Sequence, residues 1–207
     1  EQVSTVERYA GPITLNGSTQ VRARALVGNR WSALNSATFA VGPVAESLRI
    51  SEIMYHPPET GSPDDPNLEY IELVNIDAES IDLNLVRFTD GVDFTFGSVV
   101  LAPGDYTLVV KDIDAFETRY GPGLPIAGEY IGSLNNAGEA IELRDAAGRI
   151  IQSFAFEDGW YDTTDGRGFS LTVVDPISSD AQAWGDKATW RPSAAVGGSP
   201  GYDDAGI

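Results

Sequence analysis

Leu48-Arg-Ile-Ser-Glu-Ile-Met-Tyr-His-Pro-Pro58 and Asn67-Leu-Glu-Tyr-Ile-Glu-Leu-Val-Asn75 are the two stretches on which the reading of this chain turns. Each is short, apolar and rich in Ile, Leu, Val and Tyr, with turn-forming residues at its ends, the pattern of a strand. Pro57 and Pro58 end the first, because proline has no N–H to give to a ladder. Between them, Glu59–Pro66 is acidic and proline-bearing, which reads as a loop. Ile71 and Leu73 share one face of the second strand. Glu52 and Glu72 interrupt the apolar runs. A carboxylate there either faces solvent or is buried beside a partner such as Arg87, Arg144 or Arg191, because a buried, unpaired charge costs several kcal/mol or takes up a proton. Structural pairing is the expectation here, ahead of catalysis.

Further short apolar runs follow at intervals typical of an all-β domain. They are Val86–Thr89, Phe94 with Phe96, Val99–Leu101, Tyr106–Val110, Ile141 with Leu143, Ile150–Phe156 and Phe169–Val174. Asp90-Gly91 and Ala102-Pro103-Gly104-Asp105 are turn signals. Only one region has helical spacing: Asp112 caps a turn that runs to Tyr120, with Phe116 and Tyr120 four apart on one face. The expected class is all-β, an immunoglobulin-like β-sandwich with an N-terminal hairpin or partial-sandwich segment and one short helix.

In that N-terminal segment Val21, Ala23 and Ala25 alternate with Arg22 and Arg24, a half-buried strand. Gly28-Asn29 turns the chain, Ala37–Val41 closes the sheet, and Trp31 is expected to pack it. Some forty residues are too few for an independent sandwich, so this segment needs a neighbour to cover its apolar face. Gly42–Glu46 reads as a linker. The expected division is 1–44 and 45–207.

The charge is −18 over 207 residues and is uneven. Up to Ser47 there are four arginines against three glutamates; from Leu48 there are nine basic residues against 28 acidic. The larger part therefore repels nucleic acid and anionic lipid and attracts divalent cations or basic partners. Absence of cysteine excludes disulfides, thiolate metal sites and a Cys nucleophile. No stretch approaches the ~20 apolar residues of a membrane span. The abrupt start at Glu-Gln-Val, without a leader, suggests a fragment of a longer protein.

Several motifs, in this order, resemble the bacterial lamin tail domain over residues 48–201. They are Ser51-Glu-Ile-Met-Tyr55, Glu69-Tyr-Ile-Glu-Leu-Val-Asn75, Ile81-Asp-Leu83, Leu101-Ala-Pro-Gly-Asp-Tyr106, Leu134-Asn-Asn-Ala-Gly-Glu139, Gly166-Arg-Gly-Phe-Ser-Leu171, Trp190-Arg-Pro-Ser193 and Gly198-Ser-Pro-Gly201. That resemblance implies an immunoglobulin-like sandwich serving as an accessory of a secreted or surface-attached bacterial multidomain protein. Its partners would be neighbouring domains, a glycan or a surface protein. The segment with Gly11–Ile13, Val21–Ala25, Trp31-Ser32 and Thr38-Phe39 resembles the C-terminal part of the β-sandwich repeat that ends bacterial chitobiase and β-hexosaminidase chains.

Three chemistries are weighed against that. His56 is the sole histidine, beside Pro57, and no Gly-x-Ser-x-Gly elbow accompanies it, so a Ser-His-Asp hydrolase is disfavoured. Paired carboxylates of the glycosidase kind need an apolar pocket and a cleft, and are kept as an alternative. Calcium is the leading cofactor expectation, because oxygen-rich loops suit it: Asp64, Asp65 and Glu69 form one candidate ligand set, Asp158, Asp162 and Asp165 another, and Asp112 with Asp114 a third. Trp160, Tyr161, Trp184 and Trp190 lie in polar loops and form a candidate carbohydrate platform if exposed, although tryptophan more often covers a core. The expectation is a non-catalytic interaction module.

Overall fold

The computed structural model describes residues 8–177 and 180–204. A hairpin comes first. β1 (Thr19–Ala23) runs antiparallel to β4 (Asn35–Phe39), and β2 (Leu26–Val27) to β3 (Arg30–Trp31) across the Gly28-Asn29 turn. Trp31 does not pack a core: it is exposed on one side, with the Arg24 guanidinium 4.3 Å from its ring centroid on another. The expectation that it packs the small sheet fails because no second layer lies over this hairpin among the described residues.

One helical turn, α1 (Val44–Ser47), leads into β5 (Leu48–Met54). Val44 is already buried in the main core, so the sandwich begins inside the stretch that reads as a linker. The remaining elements are β6 (Tyr70–Asn75), β7 (Ile81–Asp82), β8 (Arg87–Asp90), β9 (Phe94–Thr95), β10 (Val100–Leu101), β11 (Tyr106–Val110), α2 (Ile113–Tyr120), β12 (Ile126–Glu129), β13 (Gly138–Arg144), β14 (Ile150–Glu157), β15 (Leu171–Val173) and β16 (Trp190–Pro192). One sheet has the order β12-β11-β6-β5-β15-β16, the other β14-β13-β8-β9. All these pairings are antiparallel except β11 with β12.

The two sheets face each other over one core. Ile53, Ile71, Leu73, Val109 and Leu171 from the six-stranded sheet meet Phe88, Ile141, Leu143, Phe154 and Phe156 from the other. Strict alternation in β13 and β14, apolar inward and polar outward, is the sandwich signature. The six-stranded sheet is buried on its outer face as well, and this explains why β5 and β6 are buried at every position. Met54, Tyr70, Leu108 and Val110 on that face pack under Phe116 of α2. Asp112 caps α2 by accepting from the Ala115 N–H at 2.8 Å, and Phe116 lies 4.5 Å from Tyr120 between ring centroids. Beyond β16 the chain does not leave the domain. Residues 193–204 cross the rest of the outer face as a strap.

Candidate functional site

Glu52 and Glu72 are direct register partners in the β5–β6 pair, so their side chains stand side by side, with Cβ atoms about 5 Å apart. Both point to the outer face and both are fully buried. Glu52 accepts from the Tyr70 hydroxyl (2.6 Å), from the Ser170 hydroxyl, and from the Ser199 N–H (3.0 Å) and hydroxyl (2.9 Å). Glu72 meets the Ser51 hydroxyl at 2.6 Å and accepts from the Gly201 N–H at 2.6 Å. Ser51 reaches this position because the ladder shifts register between Ile50 and Glu52.

No arginine answers either carboxylate, and here the expectation of a cationic partner is corrected. Arg144 pairs with Glu142 at 2.6 Å and Arg191 with Asp204 at 3.1 Å. What answers the acids is a set of hydroxyls and the backbone of the strap. Burial pushes both carboxyls above the ordinary glutamate value, Glu72 well above it because the charge of Glu52 adds to its desolvation. Glu52, with the larger number of donors, carries the charge; Glu72 holds the proton, and its Ser51 contact then runs from Glu72 to the Ser51 oxygen. The Tyr70 hydroxyl stays a donor, since burial and Glu52 raise it well above its usual value.

The strap is shaped for this contact. The Tyr120 hydroxyl donates to the Gly197 carbonyl at 2.9 Å. Gly198 has φ +77°, and a Cβ there would overlap Glu52 Oε1 and the Tyr70 hydroxyl. Glycine is thus required twice at that position, for its backbone and for its lack of a side chain. The crevice beside Glu72, lined by Ser51, Tyr106, Thr172 and Ser199, encloses about 10 Å³, at best one water molecule. A wider open depression of about 380 Å³ lies on the far side of the strap, lined by Asp105, Tyr106, Pro125, Tyr202 and Asp203. The strap therefore separates the paired carboxylates from any space that takes a sugar.

The other sequence candidates fall elsewhere. Trp184 and Trp190 are buried core residues whose indole N–H groups donate to the Ile50 and Trp184 carbonyls, each at 2.8 Å. They present no face to a ligand, which corrects their place in a carbohydrate platform. Trp160 and Tyr161 are half-buried against the same core, and Tyr161 donates to the Trp190 carbonyl at 2.8 Å.

Both Asp65 oxygens are occupied by Thr60, Gly61 and Ser62, so it organises its own loop. Asp64 is exposed. Glu69 is buried and accepts from the Tyr130 hydroxyl (2.9 Å) and the Leu134 N–H (2.8 Å), with Lys111 Nζ at 3.4 Å. Asp158 accepts from the Gly159 N–H, Asp162 is exposed, and Asp165 meets His56 Nδ1 at 2.6 Å. Asp112 is spent as the α2 cap. Among the described residues no three His, Cys, Asp or Glu side chains converge in a metal-holding arrangement. The other His56 nitrogen lies 3.4 Å from Glu59. No hydroxyl bonds the imidazole among the described residues.

Sequence reasoning missed Tyr70, Ser170, Ser199 and Gly198 as partners of the acids. The available signal was the Gly-Ser-Pro-Gly motif together with two glutamates in apolar strands. It also missed Gln152, whose Oε1 accepts from the Ile50 N–H at 2.7 Å. With Trp184 on the Ile50 carbonyl, that bond satisfies β5 where β15 has diverged from it.

A family model described as the lamin tail domain matches residues 43–158, more than half of the chain. The chain belongs to the lamin tail domain family. No curated protein and no solved structure matches it. The lamin tail match covers β5 to β14, yet the sandwich continues through β15, β16 and the strap. The lamin tail domain is immunoglobulin-like, in agreement with the two packed sheets. Residues before 43 lie outside the match.

Proposed function

We propose that this lamin tail domain is a non-catalytic accessory module that works by holding or docking other parts of a secreted or surface-attached multidomain protein. The observation that carries this reading is the closed acid pair. Two adjacent carboxyls, one protonated and one charged, are the equipment of a glycosidase, but here every oxygen is engaged by the fold and the adjoining crevice is about 10 Å³. Substrate pockets run to hundreds of Å³. The exterior location rests on the resemblance to exported bacterial modules and on the acidic, cysteine-free composition.

The test is a turnover screen of the full chain against chromogenic glycosides, esters and phosphates, beside Glu52→Gln. The expected result is no turnover by either protein. Turnover by the wild type that Glu52→Gln abolishes would overturn the reading.

A further inference from the structure

Residues 8–41 hold four arginines, Arg8, Arg22, Arg24 and Arg30, and no acidic residue, whereas residues 42–207 hold nine basic residues against 29 acidic. The same short segment contributes nothing to the apolar core: Val27 is 78% exposed, Trp31 53% and Phe39 47%. Its two ladders are two-stranded, and among the described residues no third strand pairs with either. Isolated two-stranded hairpins are marginal in water. This one is nonetheless tied at its base to the sandwich, where Asn84 Nδ2 donates to the Ser18 carbonyl at 2.8 Å and the Val41 N–H to the Ser18 hydroxyl at 3.1 Å.

The register sorts its two faces. Val21 lies opposite Ala37 and Thr19 opposite Phe39 on one face; Arg22 lies opposite Ser36 and Gln20 opposite Thr38 on the other. Near the turn, Leu26 lies opposite Trp31. Apolar on one side and polar on the other is the pattern of a sheet with one face covered.

We propose that this hairpin is a self-association surface, and that its cover is the hairpin of a second copy of the chain, packed about a two-fold axis with the Val21–Ala37–Phe39 faces in contact. Such a face is complementary to itself, as a two-fold interface requires. The pair would bury on the order of 1,000 Å² in total once Leu26 and Trp31 are included, the lower end of specific interfaces, which makes a weak dimer. Charge supports the same occupant. Two strongly acidic bodies repel, and the basic hairpins, with Arg22 on the outer faces of the layer, would form a positive seam between them. The proposal deepens the interaction-module reading and rests on it, but the tests are separable: absence of a dimer leaves that reading standing, whereas turnover removes it.

Sedimentation equilibrium of the full chain, from low to high micromolar, tests the proposal beside Val21→Ser/Phe39→Ser. Amide exchange of the hairpin is followed in parallel. The expected result is a reversible dimer in the wild type, a monomer in the double variant, and an unchanged melting temperature of the sandwich at low concentration. A wild-type monomer at every concentration would overturn it. Protected hairpin amides in such a monomer would identify another part of the same chain as the cover, and freely exchanging ones would show that the face is uncovered. A dimer that survives the double substitution would place the contact elsewhere and equally overturn it.

Discussion

A chain cut after Asp158, where the lamin tail match ends, is expected to lose its fold entirely. The cut removes β15 and β16 from a six-stranded sheet and with them the ladder on the free edge of β5. It removes Trp184 and Trp190, both fully buried in the main core, and each costs about 3–5 kcal/mol when truncated to alanine. It also removes Ser170, Ser199 and Gly201, and so strips Glu52 of most of its donors and Glu72 of one of its two. A whole domain has only about 5–15 kcal/mol of stability to lose. Far-UV circular dichroism with urea titration reads the result. The full chain should unfold cooperatively, and residues 43–158 should show no transition. A cooperative transition in the shortened chain would mean that the matched segment is self-sufficient and that the strap is an ornament.

The second large effect is a loss of stability with rising pH. Glu52 and Glu72 both have their carboxyls raised from 4.5, by burial first, and Glu72 additionally by the charge of Glu52. An acid with a raised value in the folded state keeps a proton that the unfolded chain has already released. Its contribution is therefore fully present below about pH 4.5 and declines as pH rises toward the folded value. The slope is roughly 1.4 kcal/mol per pH unit for each proton retained. Glu69 and Glu139, also raised by burial, act in the same direction. Asp65, Asp77 and Glu142 are lowered by their hydrogen bonds and act oppositely, but they sit near solvent, where such effects are small.

The groups facing the acid pair are Tyr70 and Ser51 from the same two strands, Ser170 from the segment before β15, Tyr120 from α2, Tyr106 from β11, and Asp203 with Ser199 from the strap. None of these is a cation that would relieve a second negative charge. The urea midpoint of the wild type should fall steadily from pH 5 to pH 9. Glu72→Gln, which keeps a neutral group able to donate to Ser51 and to accept from Gly201, should flatten that fall. An identical slope in the variant would remove the shared proton from the account.

Much of the fold was legible because its signals are local. The paired prolines closing β5, the alternation in β13 and β14, and the Asp112 cap with Phe116 and Tyr120 in α2 all follow from periodicity and turn chemistry. The covered outer face was harder to see. Glu52 and Glu72 stood out as anomalies in apolar strands, but the natural guess of an arginine partner failed, since Arg144 and Arg191 are taken by Glu142 and Asp204. Their true partners, the Ser199 and Gly201 amides, belong to a stretch that reads as irregular loop. Backbone donors carry no side-chain pattern. Trp184 and Trp190 misled for a related reason: their neighbours are polar, and only the folded chain shows that short 3₁₀ turns carry both indoles back into the core. Trp31 misled in the opposite sense, because its alternating strand looked half-buried while nothing in the described chain covers it.

Native-state hydrogen exchange at the Ser199 and Gly201 amides tests most directly whether the buried acids clamp the strap. Both N–H groups donate to glutamate carboxyls inside the protein, so at neutral pH they should exchange only on global unfolding, as slowly as the β5 and β6 amides. Exchange at the rate of an exposed loop, with β5 and β6 still protected, would mean that the strap opens freely and that the acid pair is accessible after all.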